Sequence, residues 1–330
     1  MSSIIKSTSF NKVNNSIVSF VLSCLFILGC TKEKEGVVFT DYSISTGLNI
    51  YQLQRLSDSV FFVGGGKLFD TGFVYKSTNG GKTWQLLTNN LYGGIYGIYF
   101  KNEQSGYATA WNTNIYQTAD SGKTFSLYSK KVDNIITSPL FVNDSLTVAV
   151  SHIGYENGYF WKTTDQGKSW DTLNLQRAAL KIIKSYNDFF ISCYGLVLFS
   201  DNQGMSWQNY YAKGDLWVDI DFPSYNTGYL TGFEGNILKT TDRGKTWQSM
   251  RTGNHLLHKS YNFTESHFIS ESIGVVATYE GDILYTQNGG YHWEIIRGFN
   301  QKTIRDIHLL NYKSGMAVGD EGTIFFFHLP

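Results

Sequence analysis

An eight-residue phrase, Ser/Thr-x-Asp/Asn-x-Gly-x-Ser/Thr-Trp/Phe, recurs along this chain and constrains its fold more than any other feature. It occurs as Ser77, Asn79, Gly81, Thr83, Trp84; as Thr118, Asp120, Gly122, Thr124, Phe125; and as Thr163, Asp165, Gly167, Ser169, Trp170. It returns as Ser200, Asn202, Gly204, Ser206, Trp207 and as Thr240, Asp242, Gly244, Thr246, Trp247, and a worn copy reads Thr286, Asn288, Gly290, His292, Trp293. The glycines lie 41, 45, 37, 40 and 46 residues apart. Periods of this size belong to solenoids and propellers, and every copy here is flanked by β-type sequence.

Each position of the phrase has a physical task. The Asp or Asn oxygen accepts backbone N–H groups of its own turn, the glycine supplies a positive φ, and the hydroxyls tie the two arms together. The Trp opens the next strand with a large apolar face for packing between repeats. Asn79, Asp120, Asp165, Asn202, Asp242 and Asn288 are therefore expected to be structural staples of hairpins, because Asn serves in three copies where a catalytic acid could not.

Between copies of the phrase, short runs of Ile, Val, Tyr, Phe and Thr alternate with Gly, Asn and Ser turns, an all-β pattern. Four such runs fit each period, clearest at Leu216 to Phe222, Gly228 to Phe233, Asn236 to Thr240 and Trp247 to Met250. Four strands per period make a propeller blade. The final repeat, Thr303 to Leu329, has three runs and stops, while Val37 to Ile44 stands before the first repeat without partners. Pairing that segment with the last repeat would cover its edge. The expectation is an all-β, seven-bladed propeller of four-stranded blades over residues 37–330, closed by an N-terminal strand.

The first residues read differently. Lys6 and Lys12 precede an apolar run from Ile17 to Leu28, which ends Ile27, Leu28, Gly29, Cys30. The run is short for a bilayer span, which takes about 20 residues, and suits the apolar region of a secretory signal. Its end resembles a bacterial lipobox. That resemblance implies a signal peptide over 1–29, lipidation of Cys30, a solvated tether over 30–36, and a membrane-anchored envelope protein, with Thr31 pointing to the outer membrane. Cys24 would leave with the signal and Cys30 take lipid, so Cys193 alone stays in the folded domain and no disulfide can staple it.

Without the signal, 25 Lys+Arg face 27 Asp+Glu, so no basic excess invites nucleic acid. No motif calls for a cofactor or a metal, and a monomer is expected. Arg177, Arg243 and Arg297 fall in or beside outer strands or hairpins, poorly placed to converge on a substrate carboxylate as in a sialidase. A two-carboxylate glycosidase would draw on Asp219 and Asp221, on one face of an inner strand, or on turn residues such as Glu234, Glu280 and Glu321. His255 and His258, near His267, are the one histidine cluster, with no Cys or carboxylate close in sequence to complete a metal site.

The repeated phrase resembles the Asp-box, or bacterial neuraminidase repeat, and the whole blade pattern resembles the photosystem II assembly factor family of propellers. Gly315, Met316, Ala317, Val318, Gly319, Asp320, Glu321, Gly322, Thr323 and Ile324 look like that family's strand-turn-strand signature. The six arginines are scattered, unlike the arginine-rich surface of its photosynthetic members. The resemblance implies a non-catalytic protein-binding or assembly module, with a glycan-binding or glycosidase-like surface lipoprotein as the alternative. The binding face is expected on the turns after each second strand, opposite the Asp-box hairpins. There Trp111, His152, Tyr155 and Tyr194 would form an aromatic arc, and Glu234, Glu280, Asp320 and Glu321 an acidic one.

Overall fold

The computed structural model describes residues 37–111, 114–130, 136–154, 156–165, 167–253, 259–297 and 301–330. The expected signal, the tether and Cys30 lie outside the described residues, as do Tyr155, His255 and His258. The described chain is a β-propeller of antiparallel sheets.

Four sheets follow the repeat directly. The first is β2 (Asn49–Arg55), β3 (Phe61–Gly66), β4 (Thr71–Ser77) and β5 (Gln85–Tyr92). The second is β6 (Ile95–Phe100), β7 (Gly106–Ala110), β8 (Asn114–Thr118) and β9 (Ser126–Lys130). The third is β10 (Ile136–Phe141), β11 (Thr147–Ile153), β12 (Asn157–Thr163) and β13 (Asp171–Asn174). A later one holds β20 (Phe263–Phe268), β21 (Gly274–Thr278), β22 (Asp282–Thr286) and β23 (Glu294–Arg297).

Between the third and that later sheet, the expectation of seven separate four-stranded blades fails. The strands β14 (Ala179–Ser185), β15 (Asp188–Ser200), β16 (Gln208–Asp221), β17 (Gly228–Gly232), β18 (Ile237–Thr240) and β19 (Gln248–Arg251) form one continuous six-stranded sheet, so the propeller has six blades, not seven. The cause is local. Ala212, Lys213, Gly214 and Asp215 carry β16 through without a loop, from pairing with Leu196–Phe199 of β15 to pairing with β17. Tyr194 pairs with Leu216 across a register shift at Gly195, whose φ of 71° lets β15 turn there. Trp217 Nε1 donates to the Ala212 carbonyl at 2.6 Å and ties the crossing.

The last sheet is β24 (Ile304–Asn311), β25 (Ser314–Gly319) and β26 (Ile324–His328), with β1 (Phe39–Asp41) as its outer strand. Phe39 stands opposite Phe327 and Asp41 opposite Phe325. Beyond this ladder Tyr42 N–H and Ile44 N–H still reach the Ile324 and Gly322 carbonyls, both at 2.9 Å. The first and last strands of the chain thus close the ring and cover the edge of β26, which would otherwise present open backbone groups.

The core lies between sheets. Second strands stack rings on the end of the following inner strand: Phe62 on Phe100 at 3.6 Å, Tyr107 on Phe141 at 4.6 Å, Phe190 on Phe222 at 4.4 Å and Tyr229 on Phe268 at 3.6 Å. Lys76, Arg243 and Lys239 lie over three of those rings, and cation–π attraction adds to the packing there. Cys193 is fully buried in this core, and burial pushes its thiol up to about 12. It is an apolar filler rather than a nucleophile.

Candidate functional site: the axial cavity

The two ends of the propeller are built by different chemistry. At one end the Asp-box hairpins satisfy themselves. In every copy the first Ser/Thr hydroxyl donates to the Asx Oδ1 and accepts the glycine N–H, while the same Oδ1 accepts the N–H of the seventh residue of the phrase; Thr118, Asp120, Gly122 and Thr124 do so at 2.9 Å throughout. The Asp copies also accept a hydroxyl on Oδ2, as from Thr124 to Asp120 at 2.6 Å. In Asn copies the bond runs the other way, Asn79 Nδ2 donating to Thr83 Oγ1 at 2.9 Å and Asn202 to Ser206 at 2.8 Å. These bonds hold the Asp120 and Asp165 carboxyls down to about 2. In the Asp copies both carboxylate oxygens are thus engaged inside the turn.

The other end opens into a cavity of about 560 Å³ along the axis. The six sheets line it with the inner strands β2, β6, β10, β14, β20 and β24 together with the second half of β16. Its mouth lies on the side of the β7–β8 and β21–β22 turns, which contribute Trp111 and Tyr279, opposite the Asp-box hairpins. One wall is a run of rings. Tyr51 stacks on Tyr96 at 3.9 Å, Tyr96 meets Trp111 at 4.7 Å, and Trp111 meets Phe69 edge-on at 6.2 Å. Phe69 is 63% exposed and Tyr279 43%, so the run continues out of the cavity onto the surface. The Arg305 guanidinium lies 5.3 Å over Tyr51 and bonds Asp320 Oδ1 at 2.5 Å. Burial of Tyr96, with its hydrogen bond to Tyr51, pushes its phenol well above the ordinary range.

Below the rings the cavity floor is charged. Lys181 Nζ bonds Glu265 Oε1 at 2.5 Å and lies 3.7 Å from Asp219 Oδ1. Burial opposes the charge on Lys181, but Glu265 and Asp219 outweigh it and raise its pKa. Burial and the nearby Asp219 charge push Glu265 well above the ordinary carboxylate range, and burial drives Asp221 up to about 7. Burial pulls His308 down, yet the Asp306 carboxylate at 3.4 Å wins and raises it. His267 goes the other way, down to about 4, through burial and the neighbouring His308.

Several of these side chains share a second task. Inner strands of neighbouring sheets have no backbone ladder between them, so side chains of one accept the edge N–H groups of the next. Gln52 takes Ile98 N–H at 2.5 Å and Gln54 takes Phe100 N–H at 2.6 Å. Ser138 takes Ile182 N–H at 3.2 Å, Asp219 takes Ser266 N–H at 2.9 Å and its hydroxyl at 2.6 Å, and Asp221 takes Phe268 N–H at 2.7 Å. His267 Nδ1 takes Leu309 N–H at 3.2 Å between β20 and β24, and Asp306 takes Leu53 N–H at 2.8 Å where the last sheet meets the first. Asp219 and Asp221, the sequence's best carboxylate pair for glycoside chemistry, are thus latches between β16 and β20.

Of the residues expected to form the binding face, Trp111 and His152 line the cavity. Tyr194 is 56% exposed and lies outside its lining. Glu234 sits in a turn whose N–H is held by Asp215 at 3.0 Å, and Glu280 accepts Asn262 N–H at 3.2 Å. Asp320 reaches the cavity only through Arg305, and Glu321 pairs with Lys302 at 2.9 Å. Of the described residues of the two arcs, the cavity lining takes Trp111 and His152, and Tyr194, Glu234, Glu280, Asp320 and Glu321 stand outside it. Sequence reasoning missed Tyr51, Tyr96 and Arg305 at the mouth and Lys181, Glu265 and Asp306 below. A signal existed: Gln52, Ser138, Lys181, Asp219, Glu265 and Asp306 occupy the same place in β2, β10, β14, β16, β20 and β24, where a strand facing a packed core would be apolar. Among the described residues no group of three His, Cys, Asp or Glu is arranged to hold a metal.

Fold and repeats together define an Asp-box β-propeller. Residues 200–325 match the family described as Photosynthesis system II assembly factor YCF48, and residues 75–86 match the BNR/Asp-box repeat. Among solved structures, YCF48 bound to D1 peptide superimposes with a TM-score of 0.72 at 13% identity, covering 91% of this chain and 99% of that one. YCF48 from Cyanidioschyzon merolae gives 0.67 at 12% identity, covering 88% and 98%. The WD40 repeats of RRP9 give 0.68 at 11%, covering 88% and 97%; at such identities the likeness concerns the fold alone. Among curated protein sequences none matches this chain. The family match thus covers residues 200–325, and the likeness to the YCF48 structures is one of fold.

Proposed function

We propose that this chain is a protein-binding, assembly-type propeller that receives a peptide segment of its partner at the mouth of the axial cavity. The observation that carries this reading is the run Tyr51, Tyr96, Trp111 and Phe69, which leads from surface to cavity beside Arg305 and Tyr279. Rings of this kind give large contact area for little lost side-chain freedom, and they dominate binding hot spots. A solved neighbour of the same fold is a YCF48 bound to a D1 peptide, which supports a peptide as the kind of ligand such a ring accepts. The carboxylates deeper in the cavity are occupied in latching strands or pairing Lys181, which favours binding over hydrolysis.

A displayed random-peptide library, selected on the purified chain, is the direct test. Selected peptides should lose at least about tenfold in affinity on Tyr96→Ala with Trp111→Ala, about 1.4 kcal/mol, and keep it on Asp120→Asn at the opposite end. Peptides that bind the double variant as tightly as the parent would overturn the assignment of the site.

The address is part of the proposal. Acylation of Cys30 would hold the propeller at a bacterial envelope membrane, several chains on one residue giving stable anchoring, and the outer membrane is the expected one. Metabolic labelling with palmitate should be lost in Cys30→Ser, with the precursor left unprocessed; labelling that persists would remove the anchor from this account.

A further inference from the structure

Among the described residues, one joint between sheets lacks the latches that the other joints between sheets carry. Across β2–β6, β10–β14, β16–β20, β20–β24 and β24–β2, a side chain of one inner strand accepts an edge N–H of the next, and within the six-stranded sheet Lys181 reaches Asp219. Among the described residues no side chain of β6 accepts a hydrogen bond from β10. The sequence has removed both halves of the bond. Where β2 has Gln52 and β16 has Asp219, β6 has Gly97; where β6 offers Ile98 N–H and β20 offers Ser266 N–H, β10 has Pro139, which has no N–H. Proline ring and missing side chain fill one space, since a Cβ on Gly97 would lie 2.6 Å from Pro139 Cγ. At the next latching position β2 has Gln54 and β16 has Asp221, but β6 has Tyr99, so Phe141 N–H loses the acceptor that Phe100 and Phe268 enjoy.

Ring contacts hold this joint instead. Phe141 stacks on Tyr99 at 5.1 Å and on Tyr107 at 4.6 Å, each within 14° of parallel. Lys101 and Asp144 pair across the outside with both side chains more than half exposed, where solvent screens them. A groove of about 560 Å³ runs beside the stack, so the joint is also incompletely filled. Hydrogen bonds fix direction, whereas parallel rings slide over one another with a shallow change in energy.

We infer that the ring opens at the β6–β10 joint and that the axial cavity widens with it. The joint divides the cavity wall, Tyr96 and Trp111 standing on one side and Ser138, Pro139, Leu140 and His152 on the other. Opening therefore separates the aromatic run from the facing strands. Its use in admitting a partner rests on the peptide-binding reading above; the motion itself does not.

Amide exchange and relaxation dispersion on the isotope-labelled full chain, with no partner present, test this. Phe141 N–H should exchange at least about ten times faster than Phe100 and Phe268 N–H, a difference of about 1.4 kcal/mol in opening. Dispersion should report one common process at the Phe141 amide and the Trp111 indole, with none at Phe268 or Leu309. Asp221→Ala should bring Phe268 exchange up to the level of Phe141 while leaving Phe100 slow; if that variant does not fold, Gln54→Ala should do the same for Phe100 alone. Equal protection of Phe141 and Phe268 in the parent, or dispersion spread evenly over the joints, overturns the inference. A mobile joint in a chain that binds no peptide would sink the binding reading and leave this one standing.

Discussion

The Asp-box end and the axial end use the same bond, a carboxylate accepting backbone N–H groups, to opposite purposes. In the hairpins, donor and acceptor lie four residues apart, as Thr124 and Asp120 do, in a turn open to water. Along the axis they lie 47 residues apart in Asp219–Ser266 and 253 apart in Asp306–Leu53, and they are buried. A local bond in solvent is cheap to form and forgiving to alter. A distant bond in a buried channel assembles the ring, and it leaves a desolvated group behind when one partner is removed.

The sharpest way to break this contrast is to delete an acceptor from each end. Asp219→Ala strips the Ser266 amide and hydroxyl of their acceptor and Lys181 of a neighbour, all in the channel. It should cost about 3–5 kcal/mol, the range for breaking a buried charged pair, read as a lowered denaturant midpoint with unchanged slope. A loss below about 1 kcal/mol would show that the latch is ornamental.

A smaller effect separates the ends by pH. Asp120 and Asp165, held down to about 2 against an ordinary 3.8, bind fewer protons folded than unfolded, so their contribution is present above 3.8 and is lost as pH falls towards 2. Asp221, held up to about 7 by burial, binds more protons folded, so its contribution falls as pH rises from 3.8 to 7. His267, pulled from 6.5 to about 4, is buried neutral and its contribution rises with pH across that interval. The two axial groups offset each other in the parent. Between pH 4 and 7, Asp221→Asn should therefore gain stability relative to the parent as pH rises, and His267→Gln should lose it. Parallel curves for parent and variants would refute the opposed titrations.

The smallest effect belongs to Asp242→Asn. The new amide can donate to Thr246 as Asn79 donates to Thr83 and Asn202 to Ser206, so a change of about 0.5 kcal/mol or less is expected. Chemical denaturation of this variant beside Asp219→Ala measures both ends of the comparison in one experiment.

The sequence by itself determined the repeat, the β class, the Asp-box turns and the pairing of the first strand with the last, because each rests on residues close together or on an edge with one place to go. It gave no warning that Ala212 to Asp215 would run straight through, since nothing in four residues says whether a strand ends or continues until its neighbours pair. That decided six sheets where seven had been expected. It also left Gln52, Lys181, Glu265 and Asp306 as scattered polar residues at intervals of more than forty. Only ring closure put them in one channel, where Lys181 pairs with Glu265 and the next strand supplies an N–H to Gln52 and to Asp306. Trp111 was legible as an exposed ring in a turn; that it ends a stack begun by Tyr51 and Tyr96 was decided by the packing of the first sheet against the second.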